Sequence, residues 1–321
     1  MKNVLKSKDL SQKVIIVGTF ILLVIFFSIM NPAYISYDNI MTVLLSTCVN
    51  GMLAIGVSFV IITSGIDISV GTVMTLSCVM SGTAFSVWGW PLWLAILFGF
   101  LVGALCGAIN GIAVTKMYLP PFIATMAMQM IAKGLSLVIS GIKPVYFTGA
   151  PGYQKIAIGE FLGIKGFYNA IIIFIIVAII AHIIFSKTLI GRYDLAIGSN
   201  EEATRLSGIK VDRWKIGIYS LCGLFCGIGG LIMSSRLNSA QPQLGAGYEL
   251  DAIAAAVIGG NSLTGGEGSI IGTVIGALII SSLTNGLRIM QVSSEIQSAI
   301  VGIVLALAVF IDQVRRRREA K

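Results

Sequence analysis

LWLAILFGFLVGALCGAINGIAV, residues 92–114, is a run of apolar and small residues in which Asn110 is the one strongly polar side chain. A helix needs about 20 such residues to cross the hydrocarbon core of a bilayer. The same rule picks out clear runs at about 14–30, 42–63, 121–140, 169–186, 214–235 and 296–312. Runs interrupted by Gly and polar residues lie at about 69–88, 248–262 and 268–290. Together they predict an all-α polytopic membrane protein, one transmembrane domain over 1–321 with about ten transmembrane helices. Within the opening stretch Gly103, Gly107 and Gly111 recur every fourth residue, as Gly272 and Gly276 do later. Small residues at that spacing let helix backbones approach, so close packing is expected there. Asn110, beside Gly111, either hydrogen-bonds across helices or lines a path.

Composition agrees. Of 321 residues 56% are hydrophobic and 11% charged, and mean hydropathy is +0.93. A soluble domain carries about 25% charged residues. The net charge of +8 does not read as a nucleic-acid surface. Its cations flank apolar runs: Lys2, Lys6, Lys8 and Lys13 at the start, a central loop, and Arg315, Arg316, Arg317 and Arg318 at the end. That is the positive-inside pattern, and it places both termini in the cytoplasm. Ten crossings also put Lys116 and the loop at about 187–213 inside, and the loop at about 141–168 outside. The first run has a basic leader and no small-x-small cleavage site, so it reads as an uncleaved helix.

Chemistry is excluded by what is missing. The one histidine, His182, sits in an apolar run, which leaves no HExxH site and no His-based triad. Gly260 to Gly266 has the glycine spacing of a phosphate loop, but no Lys-Ser/Thr follows. Gly245-Ala246-Gly247 lacks the third glycine of a dinucleotide turn. Cys222 and Cys226 share a helix face, where small packing residues are the plain reading and a metal pair the sharper one. Neither a catalytic nor a metal site is expected, and no cofactor in this chain.

Two broken segments stand out: Thr63-Ser64-Gly65-Ile66-Asp67-Ile68-Ser69-Val70-Gly71-Thr72, and Gly259-Gly260-Asn261 through Gly265-Gly266-Glu267-Gly268 to Gly272-Thr273. Each has a lone acid and a Gly-Thr pair opening the next helix. They are either an internal repeat or convergent helix-end chemistry. Paired breaks point to a transport path. Acids in such segments need partners, water or the interface. Arg236 is the obvious partner for Glu249 or Asp251. Candidate path residues are Asn50, Thr63, Ser64, Asp67, Asn110, Gln129, Glu249 and Asp251.

The central loop contains Asn200-Glu201-Glu202-Ala203-Thr204-Arg205-Leu206-Ser207-Gly208-Ile209. Ser199 or Asn200 can cap a short helix with Glu201 and Glu202 in its first turn. Glu201 and Arg205 are i,i+4 partners, and Gly208 is placed to end it. The plain reading is a solvated loop helix. The sharper one is a docking helix that offers Ala203, Leu206 and Ile209 to a cytoplasmic partner.

This loop resembles the coupling loop of sugar ABC-importer permeases, the ribose/galactose/autoinducer-2 group. Thr63 to Gly71, Gly247-Tyr248-Glu249-Leu250-Asp251-Ala252-Ile253-Ala254-Ala255 and the Gly259-Gly260 to Gly265-Gly266 loop match in order, and Asn238 to Ala255 looks closest to ribose permeases. The resemblance implies a type II-like ABC importer permease in a bacterial cytoplasmic membrane, paired with a second copy of itself. It also implies a cytoplasmic ATPase that binds ATP and Mg, and a periplasmic or surface-anchored sugar-binding protein. Glu201, Glu202, Ala203, Arg205, Leu206 and Gly208 would then seat in the ATPase. Membrane lipid is the surrounding partner, and no nucleic acid is implied. An ion-gradient-driven secondary transporter of a small polar solute, with Asp67 or Asp251 as its buried acid, is the main rival. A channel and an intramembrane enzyme are further ones.

Overall fold

The computed structural model describes the backbone of residues 2–319 and the side chains of 16–310, 313 and 314. The terminal cations Lys2, Lys6, Lys8, Lys13 and Arg315 to Arg318 lie outside the described side chains.

Among the described residues thirteen α-helices follow one another: α1 (Lys2–Met30), α2 (Tyr37–Ile62), α3 (Val70–Ser86), α4 (Leu92–Thr115), α5 (Pro121–Ser140), α6 (Tyr153–Ile158), α7 (Asn169–Lys187), α8 (Leu189–Ser199), α9 (Glu201–Leu206), α10 (Val211–Leu237), α11 (Tyr248–Ile258), α12 (Ile270–Ile289) and α13 (Ser294–Glu319). Among the described residues, six are long and apolar enough to cross a membrane: α2, α4, α5, α7, α10 and α12. Shorter apolar helical stretches cover 16–30, 70–86 and 294–310. Each expected run has its helix, but the span expected over 248–262 does not reach its length. At 11 residues, α11 is about 17 Å long against a core of about 30 Å. Gly247, at φ +95, bounds one end, and at the other Gly259 lies pressed on Gly272.

The bundle is built around α2 and α10. The apolar window of α2 is 94% buried and that of α7 only 22%, so α2 is core and α7 faces the surroundings. On α4, Leu97, Leu101, Leu105 and Ile109 form an exposed stripe. Such a stripe suits lipid, since a soluble chain rarely shows a large contiguous apolar patch. The opposite stripe is Gly99, Gly103, Gly107 and Gly111. A Cβ at Gly107 would overlap the Tyr219 carbonyl, and Gly103 and Gly223 face each other with no room for a side chain on either. The glycine spacing therefore does what it was read to do, with α10 as the partner.

One end of the bundle is capped by the 141–168 segment. It is more than a loop. Val145–Tyr146 (β1) pairs antiparallel with Ser239–Ala240 (β2), and Phe147 stacks on Tyr153 at 4.0 Å. The Tyr153 and Ser234 hydroxyls meet at 2.6 Å. The Tyr37 hydroxyl donates to the Lys165 carbonyl at 2.7 Å, so the start of α2 lies at this end too.

Candidate functional site

The opposite end gathers the end of α2, the loop after α4, the loop around α9, and the turn between α11 and α12. There α9 forms as its local chemistry dictates. The Asn200 side chain, not Ser199, accepts from the Ala203 amide at 2.9 Å. Gly208, at φ +83, follows the last turn. Leu206 is 84% exposed, Glu202 and Ala203 are exposed beside it, and Ile209 is half-buried.

A chain of alternating charges fixes α9 to the bundle. Lys116 pairs with Asp212 at 2.6 Å, Asp212 with Arg205 at 3.0 Å, Arg205 with Glu201 at 3.1 Å, and Glu201 with Lys215 at 2.7 Å. Only the i,i+4 pair was legible locally. Burial pushes the Glu201 carboxyl up, but Lys215 and then Arg205 outweigh it, and the group ends below the usual carboxylate range. Its negative charge is thereby held near neutral pH. The Thr204 hydroxyl lies 2.9 Å from the Ala196 carbonyl, which ties α9 back onto α8.

The candidate path residues do not gather in one place. Asp67 accepts from the Ser69 amide at 2.8 Å and hydroxyl at 2.6 Å, and from Asn110 at 3.4 Å. Asn110, on α4, therefore bonds to the broken segment between α2 and α3, to the buried Asp67 carboxylate and, at 3.0 Å, to the Ser69 hydroxyl. Gln129 donates to Glu249 at 3.0 Å, and the Gly247 amide donates to the same carboxylate at 3.0 Å. Arg236 makes no ion pair with either Glu249 or Asp251 among the described residues, so that expected pairing is absent. Glu249 sits at the start of α11, where amides and a glutamine are nearer than the guanidinium at the end of α10. Asn50 meets Ser281 at 3.5 Å across the α2–α12 seam, and the buried amide oxygens of Asn50 and Asn285 have no partner. Thr63 bonds back to the Val60 carbonyl at 2.7 Å, and Ser64 turns toward the α8 end.

Two further polar residues were not singled out. Asn261 is 1% exposed. Its amide nitrogen lies 2.9 Å from the Ser58 hydroxyl, 2.7 Å from that of Thr273 and 2.8 Å from the Ala256 carbonyl, while its oxygen accepts from the Ser269 amide. It closes the turn between α11 and α12. Asp194, on α8, is fully buried and neither carboxyl oxygen has a partner. For Asp194 the available signal was an acid inside a helical stretch, and for Asn261 a lone amide side chain in the Gly-rich break. Cys222 and Cys226 pack in the core, and among the described residues no group of His, Cys, Asp and Glu is arranged to hold a metal.

A largely helical, multi-pass bundle with an exposed short helix and two broken segments is the architecture of a membrane transport subunit. Residues 39–309 match the family described as the branched-chain amino acid transport system permease component, and the chain belongs to this permease family. It is 45% identical to the ribose import permease protein RbsC of Bacillus subtilis (strain 168), over 92% of this chain and 91% of that protein. It is 40% identical to Ribose import permease protein RbsC of Escherichia coli (strain K12), over 96% and 95%. It is 34% identical to the xylose transport system permease protein XylH of the same strain, over 98% and 94%. No solved structure matches it.

Proposed function

We propose that the chain is the membrane-spanning subunit of an ATP-driven importer that moves a monosaccharide, ribose in the first instance, across a bacterial cytoplasmic membrane. The exposed, capped α9 carries this reading: a transport chain with no phosphate-binding loop presents a helix suited to an engine supplied by a partner. ATP and Mg belong to that partner, a cytoplasmic ATPase, and two copies of the chain form the pore. Both termini and α9 face the cytoplasm, and about ten crossings are counted if α3 and the short α11 each stand for one. The 141–168 cap and the 238–247 stretch, joined by β1 and β2, form the outer surface on which a sugar-binding protein docks. The names of the relatives, ribose and xylose permeases, favour a pentose. A neutral sugar needs hydrogen-bonding side chains and not a fixed charge. The unpartnered amide oxygens of Asn50 and Asn285 supply such groups on the α2–α12 seam.

The test is uptake in vesicles with the ATPase and binding protein, varying ATP and ion gradients. Labelled ribose should enter only with ATP inside the compartment that α9 faces. Uptake that ignores ATP and follows a proton or sodium gradient would select the secondary transporter. The docking role has its own arm. Glu202→Lys, on the exposed face, and Gly208→Pro, at the positive-φ stop, should lower ATPase co-purification by about tenfold or more, the cost of one mismatched charge at an interface. Membrane insertion should be unchanged. Wild-type co-purification and uptake in both variants would remove the docking role.

A further inference from the structure

Three chain segments meet at one point beneath α9. The Ser64 hydroxyl, after the end of α2, lies 3.2 Å from the Gly198 carbonyl at the end of α8 and 2.8 Å from the Thr264 carbonyl in the turn before α12. The Gly266 amide donates to the Ile62 carbonyl at 2.9 Å. Gly198 has no space for a Cβ, which would overlap the Ile62 carbonyl and the Gly266 amide. From Gly198 only Ser199 separates this knot from Asn200, the cap of α9. Both broken segments, one leading to α3 and the other to α12, are thus fastened to the stem of the exposed helix.

The backbone at Ser64 gives a second argument. Its φ is +62, a left-handed conformation in which glycine is favoured and a side chain is strained. Gly265 and Gly266 in the facing turn, at φ +81 and +76, are glycines, in a chain with 37 of them. At Ser64 the side chain is present despite the strain, and its single hydroxyl proton is shared between the two carbonyls, with Thr264 the nearer acceptor.

We propose that Ser64 is a positioning residue for transport, holding both helix breaks against the α8–α9 stem so that movement of α9 reaches them together. This rests on the importer reading above. Without the hydroxyl, α9 still docks, but its displacement is absorbed at Gly198 and is not passed to α2–α3 and α11–α12.

The test uses the complex of permease, ATPase and binding protein in proteoliposomes. Ser64→Gly relieves the strained backbone while removing the hydroxyl, so it should insert, keep its melting midpoint and co-purify with the ATPase as the wild type does. Ribose taken up per ATP hydrolysed should fall about tenfold, the scale of one lost hydrogen bond. Ser64→Asn, which tolerates the left-handed backbone and carries an amide donor, should recover part of it. An unchanged uptake-to-hydrolysis ratio in Ser64→Gly would overturn the proposal, as would loss of ATPase assembly in that variant. Amide hydrogen exchange on the purified permease gives a readout independent of transport. Ser64→Gly should speed exchange in 198–209 and 262–268 together, and unchanged protection in either segment would also overturn the proposal. If the wild-type complex fails to use ATP while the exchange effect is present, the importer reading falls and the knot stands.

Discussion

Gly107→Leu should leave almost no folded, monodisperse protein. A Cβ at Gly107 would overlap the Tyr219 carbonyl, and it would lie near the Ser220 Cα as well. These are backbone atoms of a helix, so no side chain can swing aside. The next positions along the seam offer no relief. Gly103 and Gly223 abut each other, and a Cβ at Gly111 meets the Ile216 Cα at 2.6 Å. The two helices must separate along most of their length, at a cost at or above the upper end of overpacking penalties, about 3 kcal/mol. They would also lose the dispersion contacts that hold helices together in lipid, where no hydrophobic drive replaces them. Gly134→Ala is the control. Nothing lies within 4 Å of a Cβ there, so it should be neutral or stabilising by about 0.5–1 kcal/mol, the helix penalty of glycine. Size-exclusion profiles and melting of both detergent-purified variants decide the matter. A Gly107→Leu protein with the wild-type midpoint would show that α4 and α10 do not meet in this way.

The glycine seam illustrates how much was legible in advance. A bilayer demands long apolar runs, so helices were readable from composition alone, and four-residue glycine spacing marked a packing face without naming its partner. The caps of α9 were readable for a related reason: Asn200, the Glu201–Arg205 pair and Gly208 act within a few residues. Long-range pairing was not readable. Glu249 finds Gln129, 120 positions away in sequence, instead of the nearer Arg236. Glu201 takes Lys215, and Asp212 takes Lys116. Such choices are made by packing after the helices have formed, and each acid had several cations within plausible reach. The helix α11 is shorter than its apolar run because that run continues into Gly259 and Gly260, where a tight turn ends the helix although the hydropathy does not.

Asp194→Leu should stabilise the protein at neutral pH by about 2 kcal/mol, the usual cost of a buried polar group without a partner. For a chain of this size that is a rise in midpoint of about 3 °C. Asp194 lies on α8, outside the spans, fully buried and with both oxygens unpaired. Burial alone pushes its carboxyl well above the usual carboxylate range. The sign follows from linkage: the folded chain binds this proton more tightly than the unfolded one. The stability it contributes is therefore full below the unfolded pKa, about 3.9, and is lost as pH rises through the folded value. Asp194→Asn keeps the shape and removes the titration. Its advantage over the wild type should be near zero in acid and should widen toward about pH 7. Melting curves of wild type, Asp194→Asn and Asp194→Leu across that range test both statements. A gap that narrows with rising pH would refute the buried, unpaired carboxyl. A lower midpoint for Asp194→Leu throughout would mean that the carboxyl takes a hydrogen-bond partner in solution. That partner would then share the stem that carries α9, and Asp194 would join Ser64 among the groups that set the position of the helix.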